Sequence, residues 1–471
     1  MEAKKPLGLY LHIPFCVQKC RYCDFLSGKG SREEMEEYVE ALVREIRAYK
    51  EYLFLEKKED VIKKQNAVRI EHECEMRFGE EVIQNEENVL HGIKQKLESK
   101  EQEKQNRETN VWKSKQVAER TEADKKQLKE NDIEQLEVQT IYFGGGTPSI
   151  LQADAILRCL DAIRETFTVS ETAEITLEMN PGTVTREKLK AYKQAGVNRL
   201  SIGLQSVRED ELKLLGRIHT FAQFQDCFTM AREEGFRNIS VDLISGLPRQ
   251  TKEAFLESLD IVKNLGAEHI SVYSLIIEEG TPFYEWYGEE GSRQEELISE
   301  ETDREFYELT KQELAKAGYI RYEFSNYARE GFESRHNSSY WTGVDYLGLG
   351  LGASSYFLGE RFHNTADKSE YVKNAANPEK LRQEVQKLSI EERMEEFMFL
   401  GLRLCKGISK LEFERRFNCS IEEVYGNVLK RLIGLNVLFE EGDRIALTDF
   451  GIDVSNQVLA EFLLSDTFEL G

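Results

Sequence analysis

Three cysteines near the start of the chain, Cys16, Cys20 and Cys23, have the spacing that could do chemistry. In HIPFCVQKCRYCDF they follow a C-x3-C-x2-C pattern, so one short loop can direct three thiolates at one point. This arrangement suits a [4Fe-4S] cluster with one iron left free to bind a small molecule. Zinc prefers four Cys or His ligands, and no second CxxC or HxxxH follows. A zinc site and three ordinary thiols remain the alternatives.

The other cysteines are scattered without pairing spacings, and we interpret them as buried or incidental thiols. They are Cys74, Cys159, Cys227, Cys405 and Cys419. His72 and Cys74 stand close together in HEC, but an isolated pair in a charged segment is more often surface than a metal site.

Composition indicates a soluble protein of the cytoplasm. With 63 basic and 86 acidic residues the net charge is −23, which argues against binding nucleic acid or an anionic membrane. No apolar run approaches the ~20 residues that a membrane span requires. The apolar stretch in MEAKKPLGLYLHIPF is too short for a signal peptide and leads into the cysteine loop.

The elements that must position the cysteines alternate between strand and helix. Short apolar runs rich in β-branched and aromatic residues recur, and each precedes a helical stretch. These runs are LGLYLHI, VQTIYF, AEITLEM, NRLSIGL, NISVDLI and HISVYSL. The pattern predicts an α/β fold, a partial (β/α)6 barrel, in which the cysteine loop follows the first strand. Loops after strands build the active face of such barrels.

The order of segments predicts five regions. They are the first strand and cysteine loop (1–55), a charged helical or disordered insertion (56–137), the rest of the barrel (138–280), a connecting region rich in glycine (281–374) and a C-terminal winged-helix-like α+β domain (375–471). The insertion contains no proline and nearly half of its residues are charged, so it cannot form a core of its own. The wing carries FEEGD and few basic residues, which argues against DNA binding.

Further polar motifs fall where strands end. GGGTPS at 144–149 follows the second strand, and its glycines let a backbone approach a ligand closely. Glu178 and Gln205 close the third and fourth strands, and Asp242 lies on the fifth. We expect these side chains to point into the barrel mouth and accept hydroxyl or cationic groups. The alternative is that each caps a helix or turn.

The cysteine loop resembles the signature of the radical S-adenosylmethionine (SAM) superfamily. Further motifs in matching order, Y-x-H-I-P-F-C, GGGTP, LE-x-NP, LGRIH and DLI-x-GLP, resemble the oxygen-independent coproporphyrinogen III oxidase family, and within it a branch of haem chaperones. The resemblance covers the chain except 56–137. It implies a [4Fe-4S] cluster on Cys16, Cys20 and Cys23. It also implies SAM contacts from Tyr10, Tyr22, Gly145, Gly146, Thr147, Glu178, Gln205, Arg217 and Asp242.

Two departures separate this chain from the oxidase pattern. Phe25 occupies the position of an additional cysteine in the oxidase. The oxidase also has a long segment before its cysteines, whereas the first ligand here is already Cys16. Oxidase activity is therefore doubtful, and whether the chain is an enzyme stays open.

RHNSSYW at 335–341 resembles the haem-binding motif of the chaperone branch. The resemblance makes His336 the expected haem ligand, with Tyr340 and Trp341 available to stack on the macrocycle. Imidazole is an ordinary axial ligand of haem iron. A histidine beside aromatic residues is otherwise more often a satisfied core residue.

Three hypotheses follow. The first is a haem chaperone that binds a cluster, SAM and haem and passes haem to an acceptor protein, which could itself be membrane-bound. The second is a radical SAM enzyme acting on a tetrapyrrole in the manner of the oxidase. The third is a winged-helix regulator that senses iron or redox state.

Overall fold

The computed structural model describes residues 4–53 and 136–464. The described residues of Pro6–Tyr49 and Glu137–Gly471 form one compact unit, and the site lies within it. Of the predicted insertion 56–137, only residues 136 and 137 are described, and they already belong to a strand. The interpretation of the rest as solvated helix or disorder lies outside the described residues, as do His72 and Cys74.

Six strands and the helices between them form the predicted partial barrel. The strands are Lys5–Ile13 (β1), Leu136–Gly145 (β2), Val169–Met179 (β3), Arg199–Gln205 (β4), Ile239–Ser245 (β5) and His269–Ser274 (β6). The helices are 32–53 (α1), Ala153–Thr166 (α2), Arg186–Gln194 (α3), Glu209–Leu215 (α4), Phe221–Glu233 (α5) and Lys252–Asn264 (α6). Each run that predicted a strand is a strand, and strands β2 to β6 pair in parallel.

Helices of the barrel begin where a hydroxyl side chain can accept a backbone N–H. Thr185, Thr220 and Thr251 cap α3, α5 and α6 in this way. Such caps satisfy donors that have no partner inside the helix. The local sequence therefore fixes the residue at which each of these helices begins.

The sheet extends well beyond the six predicted strands. Short elements follow the barrel: Pro282–Tyr287 (α7), Glu300–Lys316 (α8), Ile320–Arg321 (β7), Asn326–Ala328 (β8), Arg335–Trp341 (α9), Asp345–Leu349 (β9), Ser354–Phe357 (β10), Glu360–Asn364 (β11), Lys368–Asn374 (α10), Pro378–Leu381 (α11) and Arg382–Lys387 (β12). Strands β1 to β12 form one sheet of order β12-β11-β10-β9-β1-β2-β3-β4-β5-β6-β8-β7. Strand β9 pairs in parallel with β1, so it lies beside the strand that leads into the cysteine loop.

The C-terminal part has the predicted helix, helix and wing. It comprises Ile390–Gly401 (α12), Ile408–Ser409 (β13), Lys410–Phe417 (α13), Ile421–Gly434 (α14), Leu438–Glu441 (β14), Arg444–Leu447 (β15), Asp449–Asp453 (α15) and Ser455–Ala460 (α16). Its three strands form a separate sheet over a core that includes Phe413, Tyr425 and Phe462. The expected boundary at residue 375 precedes β12, which still pairs in the large sheet.

None of the helices within the described ranges is long and apolar enough to cross a membrane.

Candidate functional site

The three cysteines of the N-terminal motif lie in the loop after β1, and all are half-buried and free. Backbone hydrogen bonds hold this loop at both ends. Cys16 N–H donates to the Gly28 carbonyl over 2.9 Å, and Gly28 N–H donates to the Pro14 carbonyl over 3.0 Å. Midway, Arg21 N–H donates to the Leu215 carbonyl at the end of α4 over 3.0 Å. These hydrogen bonds fix the loop against the barrel.

The surroundings of the thiols fit a metal cluster. Burial, with a smaller contribution from the Cys20 and Cys16 thiols, raises the pKa of the Cys23 thiol to about 11. Three thiolates on one short loop repel one another, and the iron of a cluster would supply the positive charge that offsets this repulsion. Within the described ranges, no three His, Cys, Asp or Glu side chains are arranged to hold a single metal ion.

A chain of hydrogen bonds runs from one cysteine to another through the barrel. Thr147 Oγ1 donates to Cys16 Sγ over 3.5 Å, and Asn180 Nδ2 donates to Thr147 Oγ1 over 2.8 Å. Arg217 completes it, donating through Nη2 to Asn180 Oδ1 over 2.6 Å and through Nη1 to Cys20 Sγ over 3.6 Å. Two residues predicted to contact SAM, Thr147 and Arg217, thus lie beside the cysteines.

Asn180 is a member of this chain that sequence reasoning missed. A cleft of about 310 Å³ opens beside it, and Cys20, Thr147, Asn180 and Arg217 all line that cleft. The signal that could have found it was the Asn of LE-x-NP, directly after the strand that ends near Glu178.

The loop at 144–149 needs glycines because neighbouring protein atoms leave no room for a side chain. Gly145 has a φ of +103°, and a Cβ there would lie 2.5 Å from the His12 ring. A Cβ at Gly146 would lie 2.6 Å from the Phe15 carbonyl oxygen. Gly146 N–H donates to the Ile13 carbonyl over 2.8 Å. These glycines let the end of β2 pack tightly against the start of the cysteine loop.

Two carboxylates occupy the barrel interior on strands either side of β4. Glu178, at the end of β3, accepts a hydrogen bond from Tyr142 Oη over 2.8 Å. Asp242, on β5, accepts from Ser201 Oγ at 3.1 Å and Ser240 Oγ at 3.3 Å. Burial raises the pKa of both, that of Glu178 to about 7. The pair is suited to a ligand that brings hydroxyl or cationic groups.

The remaining predicted SAM contacts surround this pair. Gln205 is the last residue of β4 and has a φ of 71°, in the left-handed region, which turns the chain at the strand end. Tyr22 packs against Phe283, with ring centroids 6.3 Å apart. Tyr10, on β1, contacts His12 Nδ1 through its hydroxyl at 3.1 Å. Gln205 thus lies at a strand end, Tyr22 in the cysteine loop and Tyr10 within β1.

His336 joins the same interior through a column of rings. Its imidazole stacks on Tyr142 with centroids 4.9 Å apart, and Tyr10 stacks on Tyr142 at 6.2 Å. Tyr340 meets His336 edge-on at 5.0 Å. The predicted haem motif therefore lies beside one residue predicted to bind SAM, Tyr10, whose ring centroid is 6.5 Å from that of His336, a proximity that the sequence did not indicate.

Both ring nitrogens of His336 are occupied by protein groups. Nδ1 lies 2.8 Å from Thr140 Oγ1, and Nε2 lies 2.8 Å from Tyr340 Oη. Burial, and then the charge of Arg199, lower the pKa of His336 to about 3, so the ring is neutral. Trp341 is covered by the Arg403 guanidinium, 4.6 Å from the ring centroid. Haem ligation by His336 requires that its bond to Tyr340 be exchanged for iron.

Two regions of the chain match known protein families. Residues 105–262 match the radical SAM superfamily, and residues 388–454 match the HemN C-terminal domain. The second match coincides with α12, the two following helices and the wing.

Curated relatives match over most of the chain. The chain is 32% identical to the heme chaperone HemW of Lactococcus lactis over 467 residues, which cover 98% of this chain and 99% of that protein. It is 37% identical to the heme chaperone HemW of Bacillus subtilis over 330 residues, 70% of this chain and 86% of the relative.

A solved structure shares the fold. The coproporphyrinogen III oxidase HemN from Escherichia coli, described as a radical SAM enzyme, superposes with a TM-score of 0.70 over 98% of this chain and 91% of that one. The sequence identity is 19%, so this likeness concerns the fold alone.

Proposed function

Because this chain belongs to the radical SAM superfamily and, within it, to the family of the heme chaperone HemW, we propose that it binds haem and transfers it to an acceptor protein. The observation that carries the proposal is the match along nearly the full length of a haem chaperone. The acceptor is a protein whose identity the chain does not disclose. Its place of action in the cytoplasm remains a prediction from composition.

We further propose that Cys16, Cys20 and Cys23 hold a [4Fe-4S] cluster. Support comes from their shared loop and from the Thr147 and Arg217 donors beside two of the sulfurs. Hydrogen bonds to cluster sulfurs and positive charge nearby adjust the reduction potential of such clusters. When bound, cluster and SAM together supply one-electron chemistry.

The SAM site would lie between the cysteine loop and the ends of β2 to β5. Glu178, Gln205 and Asp242 would accept hydroxyl and cationic groups, and the backbone of Gly145 and Gly146 would face the methionine end. The chain itself would bind and orient the cofactor, because the carboxylates of Glu178 and Asp242 are half-buried and already held by neutral donors. The column of rings from Tyr10 to His336 would put this site beside the haem motif.

A transfer experiment tests the proposal. Anaerobically reconstituted protein is loaded with haem, mixed with an apo-haem protein and followed by the Soret band. We expect the haem to move to the apoprotein and expect no conversion of coproporphyrinogen when SAM and reductant are present. A Cys16→Ala variant tests the cluster's part, with Cys159→Ala as the matched control, because Cys159 is buried inside α2.

Product formation from coproporphyrinogen would instead favour the oxidase-like enzyme. Failure to bind haem at all would refute the chaperone.

A further inference from the structure

Arg199, the first residue of β4, is a buried cation without a partner. Its side chain is 1% exposed, and Nε has no hydrogen-bond partner. Across the hydrogen bonds and ion pairs of the described ranges, none engages its guanidinium. Thr176, which is paired with it in the β3–β4 register, also has an unpaired hydroxyl. The fold therefore holds five N–H donors inside the barrel with no protein acceptor in place.

An arginine buried without a partner lowers the stability of the folded state. A buried charge without a counter-ion within bonding distance destabilises a fold, and an apolar residue of similar size would pack without that penalty. Packing alone thus gives no reason for an arginine at this position. The reason must lie in what its charge does at longer range.

Its charge acts on the two half-buried carboxylates, Glu178 and Asp242. Residues two apart on a strand share a face, so Arg199 and Ser201 both point to the side where Ser201 Oγ donates to Asp242 over 3.1 Å. Glu178 is paired with Ser201 on the other flank of β4. No ion pair in the described ranges includes either carboxylate. Their hydrogen bonds come from neutral hydroxyls and, for Glu178, also from the Gly145 N–H.

Other titratable groups face the carboxylates from each neighbouring element. They are Tyr10 on β1, Tyr22 in the cysteine loop, Tyr142 on β2, Tyr273 on β6 and Tyr340 on α9, with His269 and His336 near Arg199 and Arg217 near Tyr22. The tyrosines are neutral at ordinary pH, and burial keeps both imidazoles neutral. Arg199 is the cation that lowers the pKa of both Glu178 and Asp242.

We propose that Arg199 is a positioning residue for the SAM site, holding Glu178 and Asp242 ionised so that they can receive the cofactor. The inference rests on the proposed function, because it assumes that these carboxylates bind SAM. Arg199 itself lies at the amino end of β4, away from Gln205 and the strand ends, and makes no contact with the cofactor in this scheme.

The directions of the pKa shifts agree with this role. The pKa of Glu178 is raised to about 7, chiefly by burial and in part by the charge of Asp242, while the charge of Arg199 acts in the opposite direction. Glu178 is therefore ionised above about pH 7. Removing the charge of Arg199 must move ionisation, and with it SAM affinity, to higher pH.

The test measures SAM binding to the reconstituted holoprotein, without reductant, from about pH 6 to about pH 9. In the wild type, affinity should rise with pH through about 7. In Arg199→Met, the midpoint should move to higher pH; a move of about one unit would weaken binding about fivefold at pH 7 and leave it near wild type at the alkaline end. Arg199→Lys keeps the charge and should follow the wild-type profile.

Thermal unfolding separates this role from a structural one. Arg199→Met removes an unpaired buried charge, so its melting temperature should equal or exceed that of the wild type. An unchanged pH midpoint in Arg199→Met, with the wild type binding SAM, would overturn the inference and leave the proposed function standing. Insoluble Arg199→Met beside normal Arg199→Lys would make the residue structural and overturn it too. No SAM binding by the wild type at any pH would refute both.

Discussion

Replacing Tyr340 by Phe should strengthen haem binding if His336 is the iron ligand. The Tyr340 hydroxyl lies 2.8 Å from His336 Nε2, and Thr140 Oγ1 lies 2.8 Å from Nδ1. In the tautomer that can bind iron through Nε2, Nδ1–H donates to Thr140 and Nε2 accepts from Tyr340. Haem must displace that hydroxyl. The variant removes the competitor and leaves the imidazole in place.

The magnitude follows from one buried hydrogen bond between neutral groups. Such a bond contributes about 0.5–1.5 kcal/mol net, so its removal before haem binds should lower the haem dissociation constant by about twofold to about tenfold. The low pKa of His336, about 3, means that no proton has to leave the ring at ordinary pH. Deprotonation therefore adds nothing to the cost of ligation.

The opposite change, His336→Ala, is less informative on its own. It leaves the Thr140 and Tyr340 hydroxyls unpaired in a buried place, which costs about 1–3 kcal/mol for each group. Loss of the haem signal in that variant could follow from a damaged fold. The two variants together separate the cases, because a ligand role predicts effects of opposite sign.

The assay is a haem titration of the reconstituted protein followed by the Soret band. Tyr346→Phe is the matched control, since its ring packs on Tyr340 with centroids 4.6 Å apart and its hydroxyl makes none of the described contacts with His336. Haem affinity that is equal in Tyr340→Phe, Tyr346→Phe and wild type would refute the reasoning. The ligand would then be sought at His12, His219 or His363.

Three further predictions concern the cluster, the core and the glycine loop. Cys16→Ala should abolish the cluster absorbance of reconstituted protein and Cys159→Ala should not, because three thiolates are the minimum set; a cluster retained in Cys16→Ala would contradict the assignment. Glu45 is buried, and burial raises its pKa to about 7, so the free energy of unfolding should fall by up to about 3 kcal/mol as pH rises from about 4.5 through 7. Glu45→Gln should lack that part of the pH dependence in denaturant unfolding, and parallel curves for both proteins would speak against it. Gly145→Ala should be less stable than Gly182→Ala by about 1–3 kcal/mol in thermal unfolding, because both have positive φ but only Gly145 has a ring within reach of a Cβ; equal losses would show that the His12 contact relaxes.

Sequence alone determined the six barrel strands and the place of the chemistry. Alternation of apolar runs with helical stretches is a local signal, and helix caps such as Thr220 are local too. The C-x3-C-x2-C spacing and the strand-end residues Glu178 and Gln205 depend on chain order and on the rule that loops after parallel strands share one face. None of these requires knowledge of distant contacts. That is why the superfamily could be identified before the fold was known.

Tertiary structure decided what those residues touch. The stretch DYLGLGLGASSY suggested a connecting region, yet it contains β9, which pairs with β1. One of its glycines is explained by a neighbour far along the chain: a Cβ at Gly350 would lie 2.5 Å from the Tyr38 hydroxyl. Glycine weakens the strand signal locally, and only the packing of α1 against the sheet gives the reason for it.

The same holds for the polar interior. From the sequence alone, Arg199 is interpreted as an ordinary charged residue at the start of an apolar strand. Asn180 is interpreted as part of a turn. The sequence makes His336 the expected haem ligand, but in the fold Thr140 and Tyr340 occupy its two ring nitrogens. Hydrogen bonds and burial in a barrel join residues from many strands, so a pattern along one segment cannot report them. Sequence determined which groups are present, and the closure of the sheet decided which of them are paired, neutral or charged.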